Sequence, residues 1–298
     1  MQHDVIVVGG SYAGLSAALP LARARRRVLV VDGGQRRNRF AAHSHGFLTQ
    51  DGVAPGDIAR QARDQLMAYA TVEWLSDRAV GAERTAQGFR VHFEAGEVRE
   101  ASRIILATGV VDRLPDIPGL SERWGSRVFH CPYCHGYELE RGRIGIVATS
   151  AMAMHLALLL PDWGETTLFL NGAFEPDAEQ LAKLADRGVA LEREAVARLE
   201  GELELVLGSG RRVRLDGLFV PTRVEVADPM ADLLGCAFSE GEFGRIIHTD
   251  AMKATSVPGV YACGDAARMG GSVPLAVGDG TLAGAAAHQS LIFGLAGA

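Results

Sequence analysis

No apolar run in this 298-residue sequence reaches the ~20 residues that a membrane-spanning helix needs. The first strand begins at Asp4, which leaves no room for a secretory signal. These absences lead to the expectation of a cytoplasmic protein with no membrane partner. Positive charge is not massed either. Thirty Lys and Arg face 36 Asp and Glu, for a formal net charge of −6, and no basic run is interleaved with aromatics. Nucleic acid is therefore not an expected partner. Arg23 to Arg27 is a cluster in charge only; it falls where a helix ends before a strand and reads as solvated surface. Cysteine is scarce, at four residues, so a disulfide scaffold is excluded in a reducing compartment. Cys236 and Cys263 stand alone and read as small buried side chains. Cys131 and Cys134 form one close pair that calls for its own explanation.

What is present is ordinary core material and much glycine. Hydrophobic residues make up 48% of the chain, charged residues 22%, and glycine supplies 36 positions. The length predicts about two domains. Residues 4–8 (DVIVV) read as a buried parallel strand. GGSYAG follows over 9–14, then an apolar helix face, then the strand 28–31 ending at Asp32. Strand, glycine turn, helix, strand and acidic end are the opening of a dinucleotide-binding βαβ unit. Gly9 permits the tight turn and Gly14 a close helix–strand approach. The N–H groups at the helix start suit a pyrophosphate, and Asp32 suits an adenosine ribose. Ser11 stands at the usual middle glycine, and a plain structural turn is the alternative reading.

Further along, a helix is expected over 57–70, short strands with polar turns over 73–102, and a buried strand over 103–109. Two prolines and a glycine in 110–119 mark a crossing between domains. A second unit opens with a strand from Arg143, a helix over 151–163, a strand over 165–172 and a helix over 176–187. Three short strands end near 221. The stretch 253–266 (KATSVPGVYACGDA) reads as a return of the chain to the first domain, followed by a helix.

HCPYCHGYE carries the cysteine pair. Structural zinc is one reading, but it usually draws on two such pairs, and His130 and His135 are too close in sequence to complete a tetrahedron. No metal site is expected. A redox dithiol at a helix start is the better reading, because the helix N-terminus favours the reactive thiolate.

With GGSYAGLSAA, HGFLTQDG, ATG at 107–109, CPYCHGYE and VPGVYACGDA in this order, the sequence resembles the low-molecular-weight thioredoxin reductases along its full length. More narrowly, it resembles their flavin branch that includes dithiol oxidases of sulfur-containing natural products. The resemblance implies an α/β fold of two Rossmann-like three-layer domains. A discontinuous FAD domain would take residues 1–113 and 226–298. A degenerate NAD(P)-binding-like domain, 114–225, would carry the C-x-x-C pair. It implies FAD bound by Gly9, Ser11, Tyr12, Ala13, Gly14, Asp32, Gly33, Asn38, His45, Val80, Thr108, Gly109, Gly264, Asp265, Ser272 and Val273. It also implies a homodimer. Cys134 would face the flavin and Cys131 the substrate.

Two departures from the reductases stand out. At the second glycine motif the chain has Ala148, Thr149 and Ser150. Where basic residues would meet the 2′-phosphate of NADPH it has Asn171, Gly172 and Ala173. Phosphate affinity without such partners is expected to be poor. His135 replaces an aspartate and would serve as a proton acceptor. From these departures the expected function is oxidation of a small or protein dithiol through Cys131, Cys134, His135 and FAD, with oxygen as acceptor. The alternatives are a disulfide reductase fed by NAD(P)H, ferredoxin or another donor, and a non-catalytic flavin-binding protein.

Overall fold

The computed structural model describes residues 2–295. The chain divides into two compact units: residues 1–39, 47–111 and 224–298 form the first, and 40–46 with 112–223 form the second. The architecture is a two-domain Rossmann-like α/β fold in which the first domain is assembled from discontinuous strands.

The first unit begins with β1 (His3–Val8), α1 (Tyr12–Arg23), β2 (Val28–Val31), α2 (Pro55–Met67) and β3 (Val72–Leu75). The helix expected from residue 57 starts two residues earlier, because Pro55 at its first position loses no hydrogen bond there. β4 (Ala79–Thr85), β5 (Gly88–Phe93) and β6 (Val98–Leu106) make an antiparallel meander. β6 is longer than its apolar stretch predicted: its first half pairs with β5 and its second half runs parallel to β1. β7 (Val110–Arg113) carries the chain onward.

Both faces of the parallel strands are buried, which is why they read as continuous apolar runs. Val5, Val7, Val28 and Val30 pack with α1 and α2, whereas Ile6, Val8, Leu29 and Val31 pack with Phe89, Val91 and Phe93 of the meander. Each such side chain, fully buried, contributes roughly 1.5–3 kcal/mol.

In the second unit, β8 (Val128–Phe129) precedes the one-turn helix α3 (Pro132–His135). β9 (Arg141–Val147), α4 (Ala153–Leu159), β10 (Gly164–Phe169), α5 (Ala178–Asp186) and β11 (Ala190–Glu192) repeat the strand–helix alternation. Asp177 and Gln180 start α5 with a reciprocal capping box. β12 (Val196–Glu200), β13 (Glu204–Leu207) and β14 (Arg212–Arg214) form a second meander, and β15 (Gly217–Phe219) inserts between β9 and β8. The resulting parallel sheet has the order β11-β10-β9-β15-β8. Ile144 and Ile146 face the helices while Val147 faces the meander.

β16 (Arg223–Val226) returns the chain to the first unit, where α6 (Met230–Leu233), β17 (Phe238–Gly241) and β18 (Gly244–Ile247) follow. β19 (Val260–Ala262) then lies parallel to β6, and α7 (Val273–Phe293) packs along α1. Side chains on Gly280 or Gly284 would come within 2.1 Å of the carbonyl oxygens of Ala13 and Ala17, so the two helices meet backbone to backbone. Among the described residues no helix is long and apolar enough to cross a membrane.

Candidate functional site

In the first unit the turn after β1 is built for close approach. Gly9 has φ +113°, and a Cβ there would sit 2.2 Å from the Ala107 carbonyl oxygen. A Cβ on Gly14 would fall on the Gly9 carbonyl. Ser11 occupies the N-cap of α1 in an extended conformation and its side chain makes no capping bond. The opening N–H groups of the helix are thus not taken up by that hydroxyl, which suits an anion. Ala13 lies beneath Gly264, whose Cβ would meet its methyl at 2.7 Å. This contact seats the loop of Gly264 and Asp265 on the first turn of α1.

Asp265 accepts a 2.8 Å bond from Arg37 Nη1 and is wrapped by Gly271. Ser272, just beyond, is the N-cap of α7 and also makes no capping bond; Val273 is the first residue of that helix. Tyr12 is buried. Its hydroxyl donates to the Pro55 carbonyl at 3.0 Å and accepts from Asn38 Nδ2 at 3.2 Å, and burial raises its pKa. Asp32 accepts from the Gly34 N–H at 3.0 Å. Gly33 and Val80 are exposed. Gly109, at φ +70°, accepts from the Ala227 N–H.

Two residues not singled out from sequence belong to this neighbourhood. A Cβ on Gly10 would meet the Asp32 side chain at 2.5 Å, so the second glycine of GGSYAG makes room for the acidic residue. Arg36 acts electrostatically on the Tyr12 hydroxyl, yet its Nε is buried without a hydrogen-bond partner, as is Thr108 Oγ1. Gly10 was legible in the motif; nothing periodic marked Arg36. An uncapped helix start, orphaned buried donors and an acidic strand end fit the pyrophosphate and hydroxyls of FAD.

In the second unit Cys131 and Cys134 are joined as a disulfide, with Cα atoms 5.3 Å apart. Cys131 is the N-cap of α3 and Pro132 its first residue. A single turn offers its first N–H groups to a thiolate but no long aligned dipole. His135 closes that turn. Its ring stacks on Phe129 at 4.3 Å, and both ring nitrogens are buried without partners. Burial, and secondarily the charge of His45, push its pKa down to about 4. The imidazole is therefore neutral at pH 7, and more weakly basic beside the disulfide than the sequence alone implied. His45, expected among the FAD-binding residues, falls in the second unit, with Nε2 3.4 Å from Glu138 Oε1. Tyr133 is exposed and meets Trp163 edge-on at 5.3 Å. Cys236 and Cys263 are both buried, and burial pushes the Cys263 thiol up to about 12.

The turn after β9 has used its own polar groups. Thr149 Oγ1 donates to the Pro221 carbonyl at 2.8 Å, and Ser150 Oγ accepts from the Met152 N–H at 3.3 Å. Beyond β10, Asn171 Oδ1 accepts from the Val196 N–H at 2.9 Å.

Comparison with known proteins gives the family of the chain. The pyridine nucleotide-disulphide oxidoreductase family model matches residues 3–280. The chain is similar to "Thioredoxin reductase tcpT" of Claviceps purpurea, at 34% identity over 99% of this chain and 96% of that protein. It is similar to "Thioredoxin reductase sirT" of Leptosphaeria maculans, at 30% identity over 94% and 92%. A solved oxidoreductase from Agrobacterium tumefaciens superposes with a TM-score of 0.96 at 55% identity, covering 98% of this chain and 99% of that one. These relatives overturn the expectation of an oxygen-using dithiol oxidase, because the full-length matches carry the name thioredoxin reductase. The physical reason for the misreading is that thiol–disulfide exchange runs either way. Its direction is set by relative reduction potentials, which a C-x-x-C spacing does not encode.

Proposed function

Because the chain belongs to the pyridine nucleotide-disulphide oxidoreductase family, we propose that it is an FAD-dependent disulfide reductase of the thioredoxin reductase kind. A reduced nicotinamide, a ferredoxin or another reduced donor supplies an electron pair that ends on a protein or small-molecule disulfide. The observation that carries this reading is the bonded Cys131–Cys134 pair in one unit of a chain whose other unit holds a dinucleotide cradle. FAD, when bound, supplies the two-electron store between donor and disulfide.

The turn at Gly9 and the N-terminus of α1 would hold the pyrophosphate, Asp32 the adenosine ribose, and Asp265 with the start of α7 the flavin end. Cys134 takes the flavin-side role and Cys131 the partner-side role. Once the pair is reduced, the Cys131 thiolate attacks the partner disulfide, forming a mixed disulfide and expelling one partner thiolate. The Cys134 thiolate then attacks the Cys131 sulfur, restoring the Cys131–Cys134 bond and releasing the second partner sulfur. Neutral His135 accepts the Cys134 proton and returns it to the departing thiolate. The active form is proposed to be a homodimer.

The test is anaerobic titration of the FAD-loaded protein with NADH, NADPH and reduced ferredoxin side by side. One donor is expected to bleach the flavin, and a disulfide substrate to restore it. In Cys131→Ser the donor still bleaches the flavin, but the substrate no longer restores it. If every donor fails while dithiothreitol alone bleaches the flavin, the reductase reading is overturned.

A further inference from the structure

The loop that carries Asp265 in the first unit borders an ion cluster that the disulfide mechanism does not use. Asp279 lies nearly two turns inside α7, with its side chain 6% exposed. It accepts a forked pair of bonds from Arg268, 3.0 Å from Nε to Oδ2 and 3.0 Å from Nη2 to Oδ1. Lys253 Nζ, on a side chain 12% exposed, lies 2.9 Å from Oδ1. Burial alone would raise the Asp279 pKa, but the bonds from Arg268 and Lys253 hold it below the usual carboxylate range. The two cations come from different pieces of the chain. Lys253 belongs to the turn before β19, and its carbonyl accepts from the Ala262 N–H at 3.0 Å. Arg268 directly follows the turn Gly264–Ala267. A buried ion cluster is not a general device for stability, since apolar side chains of similar volume often do as well or better. What this one does is geometric. The fork joins residues 268 and 279 and so closes the segment 269–272 into a loop at the start of α7. Within it Gly270 has φ +73°, and a Cβ on Gly271 would lie 2.2 Å from Asp265 Oδ1. A segment this rich in glycine has many conformations to lose. A planar guanidinium fork at its border removes them before a ligand arrives. Asp265 and the N–H groups at the α7 start, which the Ser272 side chain leaves uncapped, are thereby set relative to each other.

We propose that Arg268 and Asp279 are positioning residues for the flavin end of FAD: their fork presets the Asp265 loop against the start of α7, so that the cofactor meets a cradle already formed. Their effect is carried by the loop and the helix start. Lys253 anchors the same carboxylate to the turn before β19. The adenosine end, built on Gly9, Gly14 and Asp32, draws nothing from this cluster, so the two ends of the cradle are separable by mutation. The inference rests on the FAD reading of this unit and goes beyond it in naming what preorganises the site.

The test is calorimetric titration of the full-length protein, freed of FAD, with FAD and separately with ADP, which carries only the adenosine and phosphate end. Wild type, Arg268→Gln, Asp279→Asn and the double variant are compared. Arg268→Gln is the milder change, because it leaves Asp279 paired with Lys253; where Asp279→Asn does not fold, Arg268→Gln decides. Both single variants are expected to bind FAD about tenfold more weakly than wild type and ADP within about twofold of it. The double variant is expected to bind FAD no more weakly than Asp279→Asn, since both residues act through one fork. A merely structural role moves FAD and ADP together, so a parallel loss of both overturns the proposal. So does FAD affinity in Arg268→Gln equal to that of wild type, or additive losses in the double variant. Wild type that takes up no FAD removes the cofactor reading and this inference with it. Wild type that binds FAD tightly beside an unaffected Arg268→Gln overturns this inference alone.

Discussion

His135 shows how much a single side chain depends on what is stacked above it. A histidine beside a thiol is an ordinary base near neutrality; pressed against Phe129 with both nitrogens sealed, it is neutral down to about pH 4. That burial has a consequence for stability. Unfolded, the ring titrates near 6.5; folded, near 4. Above pH 6.5 both states are neutral and the full contribution is present. Between 6.5 and 4 the unfolded chain takes up a proton that the fold refuses, so stability falls as pH falls. The loss is up to about 3 kcal/mol for a shift of this size. His135→Phe keeps an aromatic stack and removes the titration. The urea midpoint of the wild-type disulfide form is expected to drop through that window, and that of His135→Phe to drop less. Parallel curves for the two proteins would show that His135 is not the source.

At the scale of elements, the two βαβ openings have parted. The turn from β1 to α1 keeps Gly9, Gly10 and Gly14 where a Cβ would clash and replaces only the middle glycine by Ser11, whereas the turn from β9 to α4 bonds its Thr149 and Ser150 to nearby backbone. The segment after β10 spends Asn171 on a backbone N–H and offers no basic residue at Asn171, Gly172 or Ala173. Strand and helix persist because Ile144, Ile146, Ala153 and Ala157 still bury an apolar face, which needs no glycine turn. Each charged hydrogen bond to a phosphate is worth ~1.5–3 kcal/mol. Losing two weakens NADPH by about a hundredfold or more. NADH lacks the 2′-phosphate and escapes that second loss. Calorimetric titration of the oxidised protein is therefore expected to show NADH binding more tightly than NADPH. Low-micromolar NADPH binding would refute this account of the turn.

For the whole molecule, the chain leaves the first unit at β7 and returns at β16, and the returning β19 lies against β6 while α7 covers α1. Residues separated by most of the sequence thus share one core. Arg37 meets Asp265, and Ser16 donates to the Val277 carbonyl at 2.7 Å. One FAD per chain is the expected stoichiometry, since both ends of the chain are needed for a single cradle. Light scattering at micromolar concentration is expected to give twice the 31.7 kDa chain mass; a monomeric mass would reject the proposed homodimer.

Sequence by itself marked the strands β1, β2, β9 and β10 with the helices that follow them, the glycine turn and the cysteine pair, and left β16, α6, β17 and β18 unread. Those signals are local: a strand buried on both faces is an apolar run, a close approach is a glycine, and a disulfide across one helical turn is a spacing of three. Tertiary structure decided what depends on distant partners. The strand β6 was read too short because its first half is held by β5. The close approach of Phe40 to Gly125 joins two segments far apart in the chain and leaves no local signature. Arg36 and the sealed nitrogens of His135 carry no periodic mark, because burial of one polar atom is set by neighbours from elsewhere in the chain. The same holds for basicity: His135 is named by the sequence, but its low pKa comes from burial and, secondarily, from the charge of His45.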